Sequence, residues 1–223
     1  MEDGKVMIDV IYEDNHLLVV RKPFNVPVQA DSSGDEDLLS ILKGYIKKKY
    51  NKPGNVYLGL VHRLDRPTEG IMVFARTSKA AKRLSSQICN HEFKKSYVAV
   101  ICGKVYESGR LSDKLLKDNK TNISKVSPLG KIAILNYEFL EYKNGLSLVK
   151  IDLETGRSHQ IRVQFSSRGF PLYGDYKYNT KPSGNLALFA YALEFTHPVT
   201  KERLKFSLDL PKRYPFNIFS VKL

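Results

Sequence analysis

The chain has 223 residues, and its 36 Lys and Arg against 23 Asp and Glu give a formal net charge of +13. A field of that sign attracts polyanions such as nucleic acids, although an anionic membrane surface or no specific partner fits the charge as well. Two cysteines are too few for a disulfide framework or a zinc cluster. No apolar run approaches the roughly 18 residues of a membrane span, and Met1–Lys5 lack a signal-peptide pattern. We therefore expect a cytoplasmic protein that does not bind membranes.

The first fifty residues predict a hairpin followed by a helix. Asp9 to Glu13 and His16 to Lys22 have the composition of paired strands, and Asp14-Asn15 between them is a favourable turn dipeptide. Apolar residues then recur at helical spacing from Leu38 to Ile46, after three acidic residues and before three lysines. Charges in that order complement a helix dipole. We interpret the lysines as a solvated helix end rather than a dedicated RNA site.

The next segment predicts two strands around a turn, and then a helix. Tyr57 to Val61 and Gly70 to Arg76 are strand-like, and Thr77 can cap a helix that extends to about His91. In an extended backbone alternate side chains share a face, so we expect Arg63 and Asp65 between the strands to point the same way. Spacing alone also fits a surface ion pair that tightens a turn.

The middle of the chain predicts strands and a basic flap. Ser96 to Cys102 is β-branched and apolar, as in a buried strand, whereas residues 103–130 are polar and basic. We predict that 103–130 form a long hairpin or a mobile excursion whose lysines contact RNA. Ile132 to Glu141 and Leu146 to Leu153 flank Asn144-Gly145, a strong hairpin signal.

The C-terminal third predicts a helix and a last hairpin. The helix is expected from about Ser158 until Gly169, and the hairpin pairs Tyr191 to Thr196 with Arg203 to Leu208. No repeat or interdomain linker interrupts the chain. We therefore predict one α+β domain over residues 1–223, with a mostly antiparallel mixed β-sheet flanked by helices and loops.

Residues 62–70 read H-R-L-D-R-P-T-E-G and precede the apolar run 71–74. This string resembles the catalytic motif of the RluA-type pseudouridine synthases, H-R-L-D-x-x-T-S-G before a hydrophobic strand. The resemblance implies that Asp65 is the indispensable catalytic residue. It also implies that Arg63 fills the space left when the target base flips out of its stack, where a planar guanidinium can stack and donate hydrogen bonds.

Residues 155–163, T-G-R-S-H-Q-I-R-V, are similar to a second segment of that family, T-G-R-x-H-Q-I/L-R-V. Thr155-Gly156 precedes the predicted helix, whose free amides can hold a phosphate. Arg162 lies one turn after His159, so both can face a common cleft, although Arg162 alone could be an ordinary exposed helix arginine. The resemblance implies that Arg162 pairs with the catalytic aspartate and that Arg157 and His159 contact RNA.

Three weaker segments fit the same family, and the resemblance covers roughly residues 13–210. Residues 22–28 are similar to its K-P-x-G-x-P-V segment, and residues 169–175 to its G-H-P-I-x-G-D run. Residues 95–99 match its K-x-Y-x-A strand, which implies that Tyr97 packs beside the target base. Departures from the pattern put the transfer of substrate identity in doubt; they are Asn25, Gln29, Glu69, Gln164, Phe170 and Phe189.

The resemblance implies an RNA pseudouridine synthase that isomerises uridine in ribosomal or transfer RNA. The reaction needs no redox change or group transfer, so we expect no cofactor, and the sequence has no H-E-x-x-H or C-x-x-C spacing for a metal. We expect a monomer with RNA as its partner, no obligate protein partner and no appended N-terminal RNA-binding domain. The alternative is a non-catalytic RNA-binding or RNA-chaperone protein on the same fold.

Overall fold

The computed structural model describes residues 7–221 and 223. Within them lie a short 3-10 helix, Phe216–Ile218, and three α-helices: α1 (Leu38–Lys49), α2 (Ser78–Cys89) and α3 (Gln160–Ser166). The same residues contain eleven strands: β1 (Asp9–Glu13), β2 (Leu17–Lys22), β3 (Gly59–Leu60), β4 (Glu69–Ala75), β5 (Lys94–Cys102), β6 (Gly109–Asp118), β7 (Ile123–Val126), β8 (Lys131–Lys143), β9 (Leu146–Leu153), β10 (Leu188–Thr196) and β11 (Arg203–Ser207).

The chain forms two compact units. The first unit extends to Phe93 and includes Leu193–Ser207, and the second comprises Lys94–Ala192 with Leu208–Leu223. Strand β10 contributes residues to both units. The assignment of residues 1–223 to a single catalytic domain stays a prediction. No helix in the described part of the chain is both long and apolar enough to cross a membrane.

The first unit is built on β2 and β4, whose residues supply its core. Strand β2 pairs antiparallel with β1 and β4, and β3 pairs with the far end of β4. Leu17–Val20 and Ile71–Ala75 are fully buried. Helix α1 begins after Asp37, whose carboxylate accepts from the Ser40 amide, as its acidic start predicted. Helix α2 begins after Thr77, whose hydroxyl accepts from the Ala80 amide, and this cap was also predicted.

The second unit contains an antiparallel run of strands in the order β5-β9-β8-β6-β7. Strands β8 and β9 form the hairpin predicted around Asn144-Gly145. The polar segment 103–130 is a hairpin, as one of the two alternatives predicted: β6 pairs with β7 on one side and with β8 on the other. Mostly antiparallel strands with three helices in the described residues agree with the predicted α+β class.

Helix α3 is shorter than predicted, since it covers Gln160–Ser166 rather than 158–169. His159 has a φ of 54°, a left-handed conformation that cannot continue a helix backwards. At the other end the Arg168 amide donates to the carbonyl of Phe165, only three residues earlier, and this tight turn ends the helix. The strand predicted at Tyr57–Val61 is likewise reduced to the two residues of β3.

Candidate active site

Asp65 lies in a turn that leads directly into the buried strand β4. The Thr68 amide donates to the Asp65 carbonyl at 2.9 Å, so the chain reverses through Arg66-Pro67 before β4 begins. Asp65 is half-buried, whereas Arg63 is exposed. A carboxylate is therefore held at a fixed point, next to an arginine that solvent and a large substrate can reach.

A buried lysine holds this turn from inside. Lys22 is the last residue of β2 and is fully buried. Its ammonium donates to the carbonyls of Pro23 at 3.0 Å, Arg66 at 2.8 Å and Thr68 at 2.7 Å. A lysine ammonium has three donors, and two of these bonds fix the carbonyls of the residues that follow Asp65. Lys22 thus positions the Asp65 turn.

Lys22 also places a positive charge near Asp65. Burial lowers the pKa of Lys22 to about 7, and the charges of Asp65 and Glu69 offset part of that lowering. From the sequence, a cation near Asp65 was expected only in Arg162. The available signal was a lysine followed by proline at the end of an apolar strand.

Arg66 ties the turn to the loop that precedes α1. Its guanidinium donates to the carbonyl and side-chain oxygens of Asn25, both at 3.2 Å, and forms an ion pair with Asp35. Asn25 has a φ of 59°, and asparagine tolerates this left-handed region better than most residues. The departure from the family's usual glycine at position 25 therefore keeps the backbone conformation that glycine would allow.

His62 contributes to the fold of the same segment. Its Nε2 accepts a hydrogen bond from the Val73 amide at 3.2 Å, and its ring packs against Phe93 with centroids 5.6 Å apart. A neutral ring that accepts at Nε2 carries its proton on Nδ1. Through these contacts the His62 side chain stabilises the position of strand β4.

In the second unit Arg162 forms a buried bidentate ion pair with Asp175. Nε donates to Oδ2 at 2.8 Å and a terminal nitrogen donates to Oδ1 at 2.7 Å. Arg162 is 3% exposed and Asp175 is 1% exposed, so the alternative of an exposed helix arginine is wrong. Parallel bonds of this kind fix the guanidinium in orientation as well as in place.

The backbone before Asp175 requires glycine. Gly174 has a φ of 70°, and a Cβ there would lie 2.2 Å from the carbonyl oxygen of Asn185. The Asp175 carboxylate also accepts from the Lys177 amide at 3.0 Å. The Gly174 backbone and the Lys177 amide thus fix Asp175, and its carboxylate in turn binds Arg162. In the sequence this G-D pair was part of a resembling segment, and no role was predicted for it.

His159 and Arg162 meet at Tyr178. Nδ1 of His159 lies 2.7 Å from the Tyr178 hydroxyl, and the Arg162 guanidinium lies over the Tyr178 ring at 5.1 Å. Both side chains thus contact Tyr178, whereas the common cleft expected for them stays a prediction, and His159 precedes α3 instead of lying in its first turn. Tyr178 lies outside the motifs, and no pattern in the sequence pointed to it.

The Thr155-Gly156-Arg157 segment differs from the predicted phosphate-holding helix start. The Arg157 amide donates to Oε1 of Gln160 at 3.0 Å, and the Thr155 hydroxyl donates to the same oxygen at 2.8 Å. An amide expected to bind phosphate is thus already bonded within the protein. Arg157 itself is exposed, and its Nε donates to the Ile132 carbonyl at 2.8 Å.

Tyr97 lies within strand β5, where it pairs with Ile151 of β9 and is 6% exposed. Of the six predicted site residues, Asp65 and Arg63 belong to the first unit and the other four to the second. No group of three or more His, Cys, Asp or Glu side chains within residues 7–221 and 223 is arranged to hold a metal ion.

Comparison with known proteins gives the chain its family. Residues 16–167 match the family model described as RNA pseudouridylate synthase. Ribosomal large subunit pseudouridine synthase D of Zymomonas mobilis is 31% identical in an alignment that covers 95% of this chain and 72% of that protein. An uncharacterised RNA pseudouridine synthase of Bacillus subtilis is 34% identical over 92% of this chain and 70% of that protein.

Solved structures support the same fold. Human RNA pseudouridylate synthase domain containing 4 superposes with a TM-score of 0.78 at 23% identity, over 92% of this chain and 89% of that chain. Human RNA pseudouridylate synthase domain containing 1 gives a TM-score of 0.74 at 23% identity, over 93% and 86%. With the motifs around Asp65 and Arg162 present in this order, the chain belongs to the RluA-type family of RNA pseudouridine synthases.

Proposed function

We propose that the protein converts uridine of ribosomal or transfer RNA into pseudouridine, with Asp65 as its essential carboxylate. The observation that carries this proposal is the Asp65 turn, where two backbone carbonyls are bonded to the buried Lys22 ammonium. A half-buried carboxylate on a turn that is fixed in this way is preorganised, as the reaction requires. Family membership adds the reaction class.

The reaction breaks the bond between the ribose and the uracil nitrogen, rotates the base, and joins the ribose to a ring carbon. That carbon then loses its proton, and the freed ring nitrogen gains one, so that the product is an isomer of the substrate. Asp65 acts at the sugar or the base in this sequence. Tyr97 bounds the uracil ring, and Arg162 serves as the cationic partner of the carboxylate, as the resemblance implies. No group is transferred to another molecule, so the protein's own side chains suffice for each step.

The target uridine must leave its stack before it can react, which costs a few kcal/mol. We assign Arg63 to the space that the base vacates, because this arginine is exposed two residues before Asp65. Arg157 and His159 contribute contacts to the RNA. Arg157 suits this role because its side chain is exposed while its Nε is anchored on the Ile132 carbonyl.

The names of the bacterial relatives make large-subunit ribosomal RNA the first substrate to examine. The net charge of +13 favours the binding of any large RNA. We further propose that the protein acts in the cytoplasm as a monomer, without a membrane or an obligate protein partner. A non-catalytic RNA-binding role is not favoured, because Asp65, Tyr97 and Arg162 are all present.

The proposal is tested with Asp65→Asn, which keeps the size of the side chain and removes its charge. Tritium release from RNA labelled at carbon 5 of uridine should fall by about 10³-fold or more, in the upper range for loss of one catalytic group. RNA affinity should stay equal or rise slightly, because a negative charge has been removed. Asp9→Asn, which neutralises an exposed carboxylate on β1, is the matched control. Substantial turnover by Asp65→Asn would overturn the assignment.

A further inference from the structure

Lys95 is half-buried, and it differs from the fully buried Lys22 in having no binding partner among the described residues. It lies on β5, two residues before Tyr97, so the two side chains share a face of the strand. Burial lowers the pKa of Lys95, and no opposing charge contributes. Lys22 donates to three carbonyls, whereas the Lys95 ammonium has no hydrogen bond or ion pair with any described residue from 7 to 221. A cation that has lost much of its water gains strongly from an anion.

The ammonium lies against the glycine of the Thr155-Gly156-Arg157 segment. A Cβ built on Gly156 would stand 2.9 Å from the Nζ of Lys95. A side chain at position 156 would therefore require the amine to shift from this position. Gly156 and Arg157 are both exposed, so a ligand from solvent can reach the place where the amine lies. Within the second unit, the amine is therefore both accessible and without a protein partner.

The proposed function of the protein supplies the anion. RNA carries one phosphate per nucleotide, and a phosphate oxygen compensates an ammonium better than the neutral oxygens of uracil do. Two residues of a β-strand span about 6.6 Å, so Lys95 lies within one nucleotide's reach of Tyr97. We propose that Lys95 binds a backbone phosphate of the target uridine or of its immediate neighbour, and so positions the uridine against Tyr97. This proposal rests on the proposed pseudouridine synthase function.

The test measures whether the effect of removing the Lys95 amine depends on the charge of one particular phosphate. A short RNA that the wild-type protein modifies is prepared as a series, each member with a single uncharged methylphosphonate linkage. One linkage near the target should lower the single-turnover kcat/KM of the wild type by about 10-fold or more, the effect of losing one charge-assisted hydrogen bond. Lys95→Met should show that loss on unmodified RNA and be insensitive to the same linkage.

Three further variants separate a phosphate contact from a packing effect. Lys95→Arg keeps the charge and should remain sensitive to the linkage. Gly156→Ala keeps the charge too, but its methyl group requires the amine to shift, so its sensitivity to the linkage should lie between those of the wild type and Lys95→Met. Lys94→Met removes the same charge one residue away on the opposite face of β5, and it should respond to the linkage as the wild type does.

The inference is overturned if every methylphosphonate affects the wild type and Lys95→Met by the same factor. Lys94→Met losing sensitivity together with Lys95→Met would also overturn it, since the effect would then be one of general charge. Both results require a wild type that makes pseudouridine in the unmodified RNA. If the wild type modifies no RNA at all, the proposed function fails first, and the two failures are thereby distinguished.

Discussion

The two units each contain a fully or nearly fully buried cation in a predicted motif, and the two cations are held in different ways. Lys22 in the first unit donates to three backbone carbonyls. Arg162 in the second unit donates to the Asp175 carboxylate. Carbonyls are neutral, so burial of Lys22 is not fully compensated, and its pKa falls to about 7. A guanidinium paired with a carboxylate keeps its charge throughout the physiological range.

The difference shows what each motif contributes. The Lys22 bonds fix a backbone path, so this lysine determines where Asp65 lies. The Arg162 bonds fix a charged side chain in place and orientation, so Asp175 determines where a permanent positive charge lies. The Lys22 bonds depend on the protonation of its amine, whereas the position of Arg162 depends on an intact ion pair with Asp175. Variants that remove one partner at a time should therefore behave differently in the two units.

The largest difference is expected in turnover, between Arg162→Ala and Arg168→Ala. If Arg162 is the cation that serves the catalytic carboxylate, its loss should lower single-turnover rates by about 10²-fold or more. Arg168, two residues beyond α3, pairs with Asp113, and its side chain is 36% exposed. Its loss should change the rates little. Equal losses from the two variants would leave only a general charge effect.

Stability should separate the two ion pairs of the second unit. Asp175→Ala leaves the Arg162 charge buried without this partner, which costs about 3–5 kcal/mol of the free energy of unfolding. Asp113→Ala removes a half-exposed pair with Arg168, worth about 0–1 kcal/mol, and one of the two hydrogen bonds that Nε2 of Gln164 donates. Urea denaturation of both variants measures the difference. Similar denaturation midpoints for the two variants would mean that the pair of Arg162 and Asp175 contributes no more stability than the half-exposed pair does.

Lys22→Met should change how stability depends on pH. The pKa of Lys22 is about 7 in the folded protein and 10.5 ordinarily, so the unfolded chain binds more protons between those values. The stability that this group contributes therefore rises with pH from about 7 to 10.5 and is lost as pH falls through 7. The wild type should gain unfolding free energy relative to Lys22→Met over that window. Lys47→Met, at the exposed end of α1, is the control for lost charge. A constant difference across the window would contradict the account of Lys22.

Lys22→Met should also lower turnover, by about 10-fold, because the carbonyls of Arg66 and Thr68 lose a charge-assisted donor. Single-turnover rates measured where the variant is fully folded test this effect. Rates equal to those of the wild type would show that the Asp65 turn keeps its geometry without the ammonium.

The smallest effect is expected from the flap, residues 103–130. Lys114 and Lys125 are exposed on β6 and β7, and we predict that they contact RNA phosphates. Their joint replacement by alanine should reduce the slope of log K against log salt by about 0.7–0.9 for each contact. Single-turnover chemistry at saturating protein should stay nearly intact. Replacement of Lys82 and Lys205, two exposed lysines of the first unit, controls for net charge. An unchanged slope would remove the flap from the RNA-binding surface.

Local signals predicted the fold well. The turns at Asp14-Asn15 and Asn144-Gly145, the cap at Thr77 and the acidic start of α1 depend on residues close in sequence, and all four lie where expected. Helix α3 was predicted too long because the left-handed backbone of His159 is set by the surrounding structure and does not follow from the residue type.

Partners distant in sequence could not be predicted in the same way. Lys22 reaches carbonyls 44 and 46 residues away, and Arg162 reaches Asp175 thirteen residues away. Neither pairing follows from periodicity, because each depends on how separate segments fold together. The motifs identified Arg162 as a site residue, but only the structure identifies Asp175 as the group that fixes it and Lys22 as the group that fixes the Asp65 turn.

The most direct test of the central claim maps pseudouridine at single-nucleotide resolution in cellular RNA. RNA from a strain that lacks the gene is compared with RNA from the same strain expressing the wild type or Asp65→Asn at equal level. We predict that at least one uridine loses its modification in the deletion, regains it with the wild type, and does not regain it with Asp65→Asn. Restoration by Asp65→Asn, or no change at any position in the deletion, would contradict the account.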